Sequence, residues 1–219
     1  MMHKTRKTYF LLCSCFLLAG LLSAQTLWAQ KPKHQIFYAD GNLKGEGHLQ
    51  EGKKQGYWFF YYPTGKVMAF ENYEEGVLEG VAKYYDSQGI LERKEFWQRG
   101  VRQDSAFHFY PDGKIKQKGR YENDLYQGEW LHFFPEGSLQ QRVHYQAGVL
   151  EGEYVRYQSP DKLLEKGMYK DGKENGYWVF YDKNGNPFLE GNYQNGQKVG
   201  EWYIYKKGKR KVAKKRDLE

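Results

Sequence analysis

Residues 41–64 read GNLKGEGHLQEGKKQGYWFFYYPT, and this stretch decides the fold. Leu43, Gly45, Gly47 and Leu49 alternate with Lys44, Glu46, His48 and Gln50, the two-residue period of a half-buried strand. Residues 51–56 read as a turn with glycine at both ends. Residues 57–61 read as a second strand, rich in aromatics as strands tend to be. Pro63 and Gly65 close the unit. Proline presets the first turn position, and glycine takes the positive φ that a bulged hairpin requires.

The same 24 residues recur along the chain. Gly52, Gly76, Gly100, Gly148, Gly172 and Gly196 form one ladder, with Asp124 filling the missing rung. Four residues later stand Gly56, Gly80, Gly128, Gly152, Gly176 and Gly200, with Asp104 as the exception. A third ladder is Gly41, Gly65, Gly89, Gly113, Gly137 and Gly185, broken only by Asp161. The substitutes are aspartates, which tolerate turn and left-handed conformations well. Aromatics keep the same step. Tyr61, Tyr85, Phe109, Phe133, Tyr157, Tyr181 and Tyr205 form one column, and Tyr73, Trp97, Tyr121, Tyr145, Tyr169 and Tyr193 another.

A 24-residue hairpin cannot bury its own apolar face, so each unit must stack on its neighbours. The expected fold is all-β: one elongated array of consecutive antiparallel hairpins, about seven units, over residues 30–205. Residues 35–38 look like the end strand of a preceding half-unit. Roughly 14 strands at about 4.8 Å each would hold together through rung-to-rung aromatic contacts. Of the 219 residues, 39 are Phe, Trp or Tyr, while aliphatics are scarce. That composition disfavours the thick α/β or helical core on which many catalytic folds depend.

The two ends differ from the middle. Residues 1–29 read as a signal peptide, with Lys4, Arg6 and Lys7 ahead of an apolar run over residues 10–22. Cleavage before Gln25 or Gln30 would follow Ala24 or Ala29. Both cysteines, Cys13 and Cys15, lie in this segment, so the mature chain would carry no disulfide and no thiolate chemistry. The expected location is outside the cytoplasm: periplasm, outer-membrane associated or secreted. Residues 206–219 form a basic tail with a net charge of +6, whereas residues 30–205 sum to −2. Lys206, Lys207, Lys209, Arg210 and Lys211 could meet an anionic lipid or an acidic partner. Equally, they could guard a final strand at 202–205 against strand addition. Export argues against nucleic acid.

The glycine and aromatic pattern, clearest in YKDGKENGYWVFY at residues 169–181, resembles MORN repeats, and more closely their bacterial MORN-variant form. The likeness covers about residues 35–205. It implies a sheet of consecutive hairpins without enzymatic activity, acting as a scaffold, an oligomerisation module or a membrane-proximal module. Bacterial relatives often carry the label of a YwqK-type antitoxin, an alternative that an export signal does not suit.

Chemical candidates are sparse. His108 and His132 share a repeat position, but equivalent residues on successive hairpins stand about 9.6 Å apart, too far for one metal ion. A polar column of Gln55, Glu79, Gln103, Gln127, Glu151 and Asn175 is either a row of contacts for an extended partner or a set of solvated turn residues. No Ser-His-Asp or Cys-His set, phosphate loop or dinucleotide fingerprint is present in the sequence. The expectation is therefore a non-enzymatic exported scaffold that binds a protein or other envelope partner along the ribbon, with no cofactor. A membrane module docking through the basic tail is the alternative.

Overall fold

The structure is a computed structural model that describes residues 33–218; the expected signal peptide lies outside the described residues. The chain from His34 onward is one unit. Seven hairpins follow one another: Leu43–Gln50 with Lys53–Tyr61, Val67–Glu74 with 77–85, Leu91–Gln98 with Val101–Phe109, Ile115–Glu122 with Leu125–Phe133, Leu139–Gln146 with Val149–Ser159, Lys162–Lys170 with 173–181, and Pro187–Gln194 with Gln197–Lys206. Each strand pairs antiparallel with the next in sequence, so the array is one open sheet. The expected half-unit at the start is His34–Phe37, paired with Leu43–Gln50. Among the described residues the only helix is a single 3-10 turn, Lys215–Asp217.

All three ladders are demanded by the backbone. In the first, Gly52, Gly76, Gly100, Gly148, Gly172 and Gly196 have φ between 76° and 89°, and Asp124 has 66°. The residue before each, from Glu51 through Asn195, is also at positive φ. Two consecutive positive-φ residues make the two-residue hairpin turn whose twist matches that of its strands. The sequence reading of 51–56 as one turn is therefore corrected. The turn is only Glu51-Gly52, and the strand resumes at Lys53, paired with Gln50. Gly56, at φ 67°, instead sits where the register of Lys53–Tyr61 slips against Leu43–Gln50. The third ladder behaves as expected, with Gly65 at φ 82° donating to Tyr62 O beside a bulge at Phe60/Tyr61.

Each turn is tied to the turn one unit before it. The amide of Gly76 donates to Lys54 O at 2.9 Å, that of Gly100 to Leu78 O at 2.9 Å, and the link recurs to Gly196 and Glu174 O. The polar column serves the same joint. Gln55, Glu79, Gln103, Gln127 and Glu151 accept the amides of Glu75, Arg99, Asn123, Ala147 and Asp171 at 2.8–2.9 Å. Those are the positive-φ residues that open the following turns, so the column caps turns and does not form a free row of contacts. A tyrosine stitch adds to it on the other edge: Tyr38, Tyr62 and Tyr110 hydroxyls donate to the carbonyls of Tyr61, Tyr85 and Phe133.

The basic end differs from its reading as a tail beyond a last strand at 202–205. Lys207-Gly208 makes one more two-residue turn, and Lys209–Val212 pairs with Gln197–Lys206 as the edge strand. The 24-residue period did not mark it, because Gly208 stands 23 residues after Gly185, one short of the ladder.

Candidate functional site

The buried layer lies on one face. Stepping by 24, residues Trp58, Ala82, Ala106, Trp130, Tyr154, Trp178 and Trp202 are all buried. Eleven residues before each stands Gly47, Glu71, Glu95, Gly119, Val143, Gly167 or Gly191. Bulk is exchanged within each pair. Four tryptophans lie on four glycines, and a methyl at Gly47, Gly119, Gly167 or Gly191 would overlap the indole. Where the large partner shrinks to Tyr154, the small one grows to Val143. Where it shrinks to Ala82 or Ala106, it becomes glutamate. The indole N–H groups of Trp58, Trp130 and Trp178 donate to the carbonyls of His48, Arg120 and Met168 at 3.0–3.1 Å. Edge-on contacts with the Tyr73 column close the layer; Trp130 lies 5.2 Å from Tyr121 and Trp178 5.3 Å from Tyr169.

The tryptophan stack is interrupted in the second and third units, and there the face becomes polar. Glu95 is 2% exposed, flanked across the strands by Ala82 and Ala106. Its carboxylate takes a hydrogen bond from Arg93 Nη1 at 3.4 Å. A depression of about 560 Å³ opens beside it, lined by Tyr84, Arg93, Glu95, Trp97, Arg102 and Asp124. Arg102 lies 4.2 Å over the Tyr121 ring and bonds Asp124 Oδ1 at 2.9 Å, holding that carboxyl below the usual carboxylate range. Burial raises the Tyr84 phenol far above its ordinary value, helped by Glu71 and Glu95, so it stays a hydrogen-bond donor. The indole N–H of Trp97 and the Nε2 of His108 are buried without a partner.

The depression is continued across the sheet by a row of polar side chains, the polar groove of this face. From strand to strand, Tyr84 pairs with Arg93, Arg93 with His108, His108 with Gln117, Gln117 with His132, and His132 with Gln141. Arg156 and Glu165 continue the row. Before and after it the same row is apolar, with Phe60 and Ala69 at one end and Phe180 and Leu189 at the other. Eight successive strands thus carry hydrogen-bonding side chains, most of them half-buried. Burial, together with Arg93, Lys116, His132 and Arg102, lowers the His108 pKa to about 4. The imidazole is neutral at pH 7 and can donate or accept. His108 and His132 flank Gln117 and do not converge, and among the described residues no His, Cys, Asp or Glu group could hold a metal ion.

The sequence-read residues fall elsewhere. The ladder glycines occupy turns and bulges, and Tyr61, Tyr85, Tyr157, Tyr181 and Tyr205 belong to the opposite face. Of the basic end, Arg210 is engaged by Glu190 at 2.6 Å and stacks 3.5 Å over Tyr203, and Lys206 meets Asp217 at 3.2 Å. Lys207, Lys209 and Lys211 are exposed. The groove itself was missed, although its mark was in the sequence. Asp104 and Asp124, the two aspartates in the first two glycine ladders, both fall beside the rungs where alanine replaces tryptophan.

Among the described residues no helix is long and apolar enough to cross a membrane. No curated protein matches the chain. Similar solved structures include the Photorhabdus luminescens Tc holotoxin pore, 15% identical over 78% of this chain and 12% of that one, with a TM-score of 0.23. A crystal structure of TcdB2-TccC3-Cdc42 is 12% identical over 79% of this chain and 13% of that one, with a TM-score of 0.22. This chain therefore spans only 12–13% of the length of those two chains. The family model for the MORN repeat variant matches residues 54–75, 105–123, 126–147 and 174–195, each in phase with the 24-residue hairpin. With these matches set on a sheet of consecutive hairpins, the chain is a MORN-repeat variant protein.

Proposed function

We propose that this protein is an exported scaffold, without chemistry of its own, that holds an extended protein or other envelope partner in the polar groove of its tryptophan face. MORN repeats in general are scaffolds that bind proteins or lipids. The observation that carries the reading is the row from Tyr84 to Glu165, where hydrogen-bonding side chains replace the apolar ones of both ends, with His108 Nε2 buried and unpartnered. A buried polar atom without a partner is unfavourable unless something supplies one. An extended ligand would supply it while stacking on Tyr84 and Trp97. The amino-terminal signal supports export, and an antitoxin role is the weaker reading on the same ground.

The test is capture from the native envelope with the mature chain and with a Gln117→Ala, Gln141→Ala variant. A defined species retained by the first and lost by the second, both with unchanged circular dichroism, supports the groove. Equal recovery by both overturns it. A second reading, docking of the basic end to anionic lipid, draws on exposed Lys207, Lys209 and Lys211. Flotation should use their glutamine variants, because deleting 206–219 would also strip the edge strand Lys209–Val212.

A further inference from the structure

The face opposite the groove carries a single file of cations. Phe107 pairs directly with both Lys94 and Lys118, Leu131 with Lys118 and Arg142, and Val155 with Arg142 and Lys166. Lys94, Lys118, Arg142 and Lys166 therefore stand in one straight row on every second strand, roughly 9.6 Å apart, with an apolar residue between each pair. Lys83 extends the row, directly opposite Lys94. Like charges in that position destabilise a sheet.

Among the described residues, none of the four forms an ion pair or a side-chain hydrogen bond. Lys94 lies 5.9 Å over both Phe96 and Phe107, Lys118 lies 5.7 Å over Phe133, and Arg142 Nε is buried without a partner. The row ends where the next equivalent position becomes Glu190, which is neutralised by Arg210.

We propose that this row binds a linear acidic polysaccharide bearing one anion per disaccharide. The cation spacing is close to the length of one disaccharide in an extended glycan. Apolar Phe107, Leu131 and Val155 between the charges give the sugar rings' C–H faces a surface to lie on. A bilayer would call for cations that stand out from the face, whereas Lys94, Lys118 and Arg142 are half-buried and reachable by a single strand. An acidic peptide, with its shorter repeat, matches the spacing less well. Binding does not rest on the groove or its occupant; only the place where the glycan is met rests on export.

The test uses hyaluronan, which has one carboxylate per disaccharide, with poly-glutamate and phosphatidylglycerol vesicles as rivals. The native chain should bind hyaluronan at low salt and weaken steadily as salt rises. A Lys94→Gln, Lys118→Gln, Arg142→Gln, Lys166→Gln variant should lose about tenfold or more, as four ion pairs of a few-fold each multiply. A Lys207→Gln, Lys209→Gln, Lys211→Gln variant should stay within about twofold, since it leaves the row intact. If the fourfold variant fails to fold, the two half-row pairs are measured separately, each expected to lose a few-fold. No binding by the native chain, equal binding by the row variants, or loss that follows the edge-strand lysines overturns the proposal. So does binding of vesicles or poly-glutamate in place of hyaluronan. Equal recovery of partners by the native chain and the Gln117, Gln141 variant in envelope capture, which overturns the groove, leaves it standing.

Discussion

Trp178 lies flat on the bare backbone of Gly167, eleven residues earlier, and its indole N–H reaches Met168 O at 3.1 Å. The pair is one rung of a layer in which each large ring requires a small neighbour. Because interiors are close-packed, the two positions are coupled. Trp178→Ala should cost about 3–5 kcal/mol through the cavity it leaves. Gly167→Val alone should cost about 1–3 kcal/mol by overpacking. Combined with Trp178→Tyr, which recreates the natural Val143/Tyr154 rung, the valine should cost less than the two changes summed, by about 1 kcal/mol. Urea denaturation of the four proteins closes the cycle. Strict additivity would mean that the rings do not set the size of their partners.

The turn ladder gives a second expectation. Gly172 and Gly176 are both at positive φ, 76° and 81°. A Cβ at Gly176 would meet nothing within 4 Å, and one at Gly172 only Val149 at 3.5 Å. Valine at either site should therefore cost about 1–3 kcal/mol through backbone strain alone. In a nearest-neighbour array the loss of amide protection should stay around residues 160–190 and spare the turn at Gly52. Hydrogen exchange decides it, and collapse of protection along the whole chain would show a single cooperative domain.

Acid should weaken the groove. The His108 pKa is lowered to about 4 in the fold by burial and the cations around it, against about 6.5 in the unfolded chain. The unfolded state then binds the proton more readily, so His108 contributes stability above about pH 6.5 that is lost as pH falls towards 4. His132 is lowered in the same direction, by burial and Lys116. The melting temperature should drop between pH 7 and pH 5, and the drop should be smaller in His108→Gln. An equal drop in both proteins would place the acid sensitivity elsewhere.

Processing is checked directly. The mature protein is expected to begin at Gln25 or Gln30 and to leave the cytoplasm. Amino-terminal sequencing that finds Met1 on the soluble protein would favour the cytoplasmic antitoxin reading.

The hairpins were legible because their turns impose φ values that residue identity records. Gly172 and Asp124 mark positive φ whatever packs around them. Residue identity did not separate the two uses of glycine in residues 51–56, since Gly52 belongs to the turn and Gly56 to a register slip inside the strand. The groove was illegible for another reason. Ala82 and Ala106 look unrelated to Trp58 and Trp130 until Glu71 and Glu95 are set against Gly47 and Gly119. That match appears only once the strands are paired. The cation row was hidden likewise, because Lys94 and Phe107 become neighbours only across the sheet.

The amide link from each turn to the one before it, as from Gly148 to Tyr126 O at 2.8 Å, has a genetic consequence. Every rung offers the same joint above and below, so an in-phase duplication or deletion of 24 residues leaves all remaining joints intact. An insertion within a strand that is not a multiple of 24 residues leaves one turn out of step with its mate. The reach of the scaffold is therefore quantised, growing or shrinking by two strands, roughly 9.6 Å, at a time. A change of one rung within residues 94–166 would also add or remove one cation from the row without disturbing the spacing of the others.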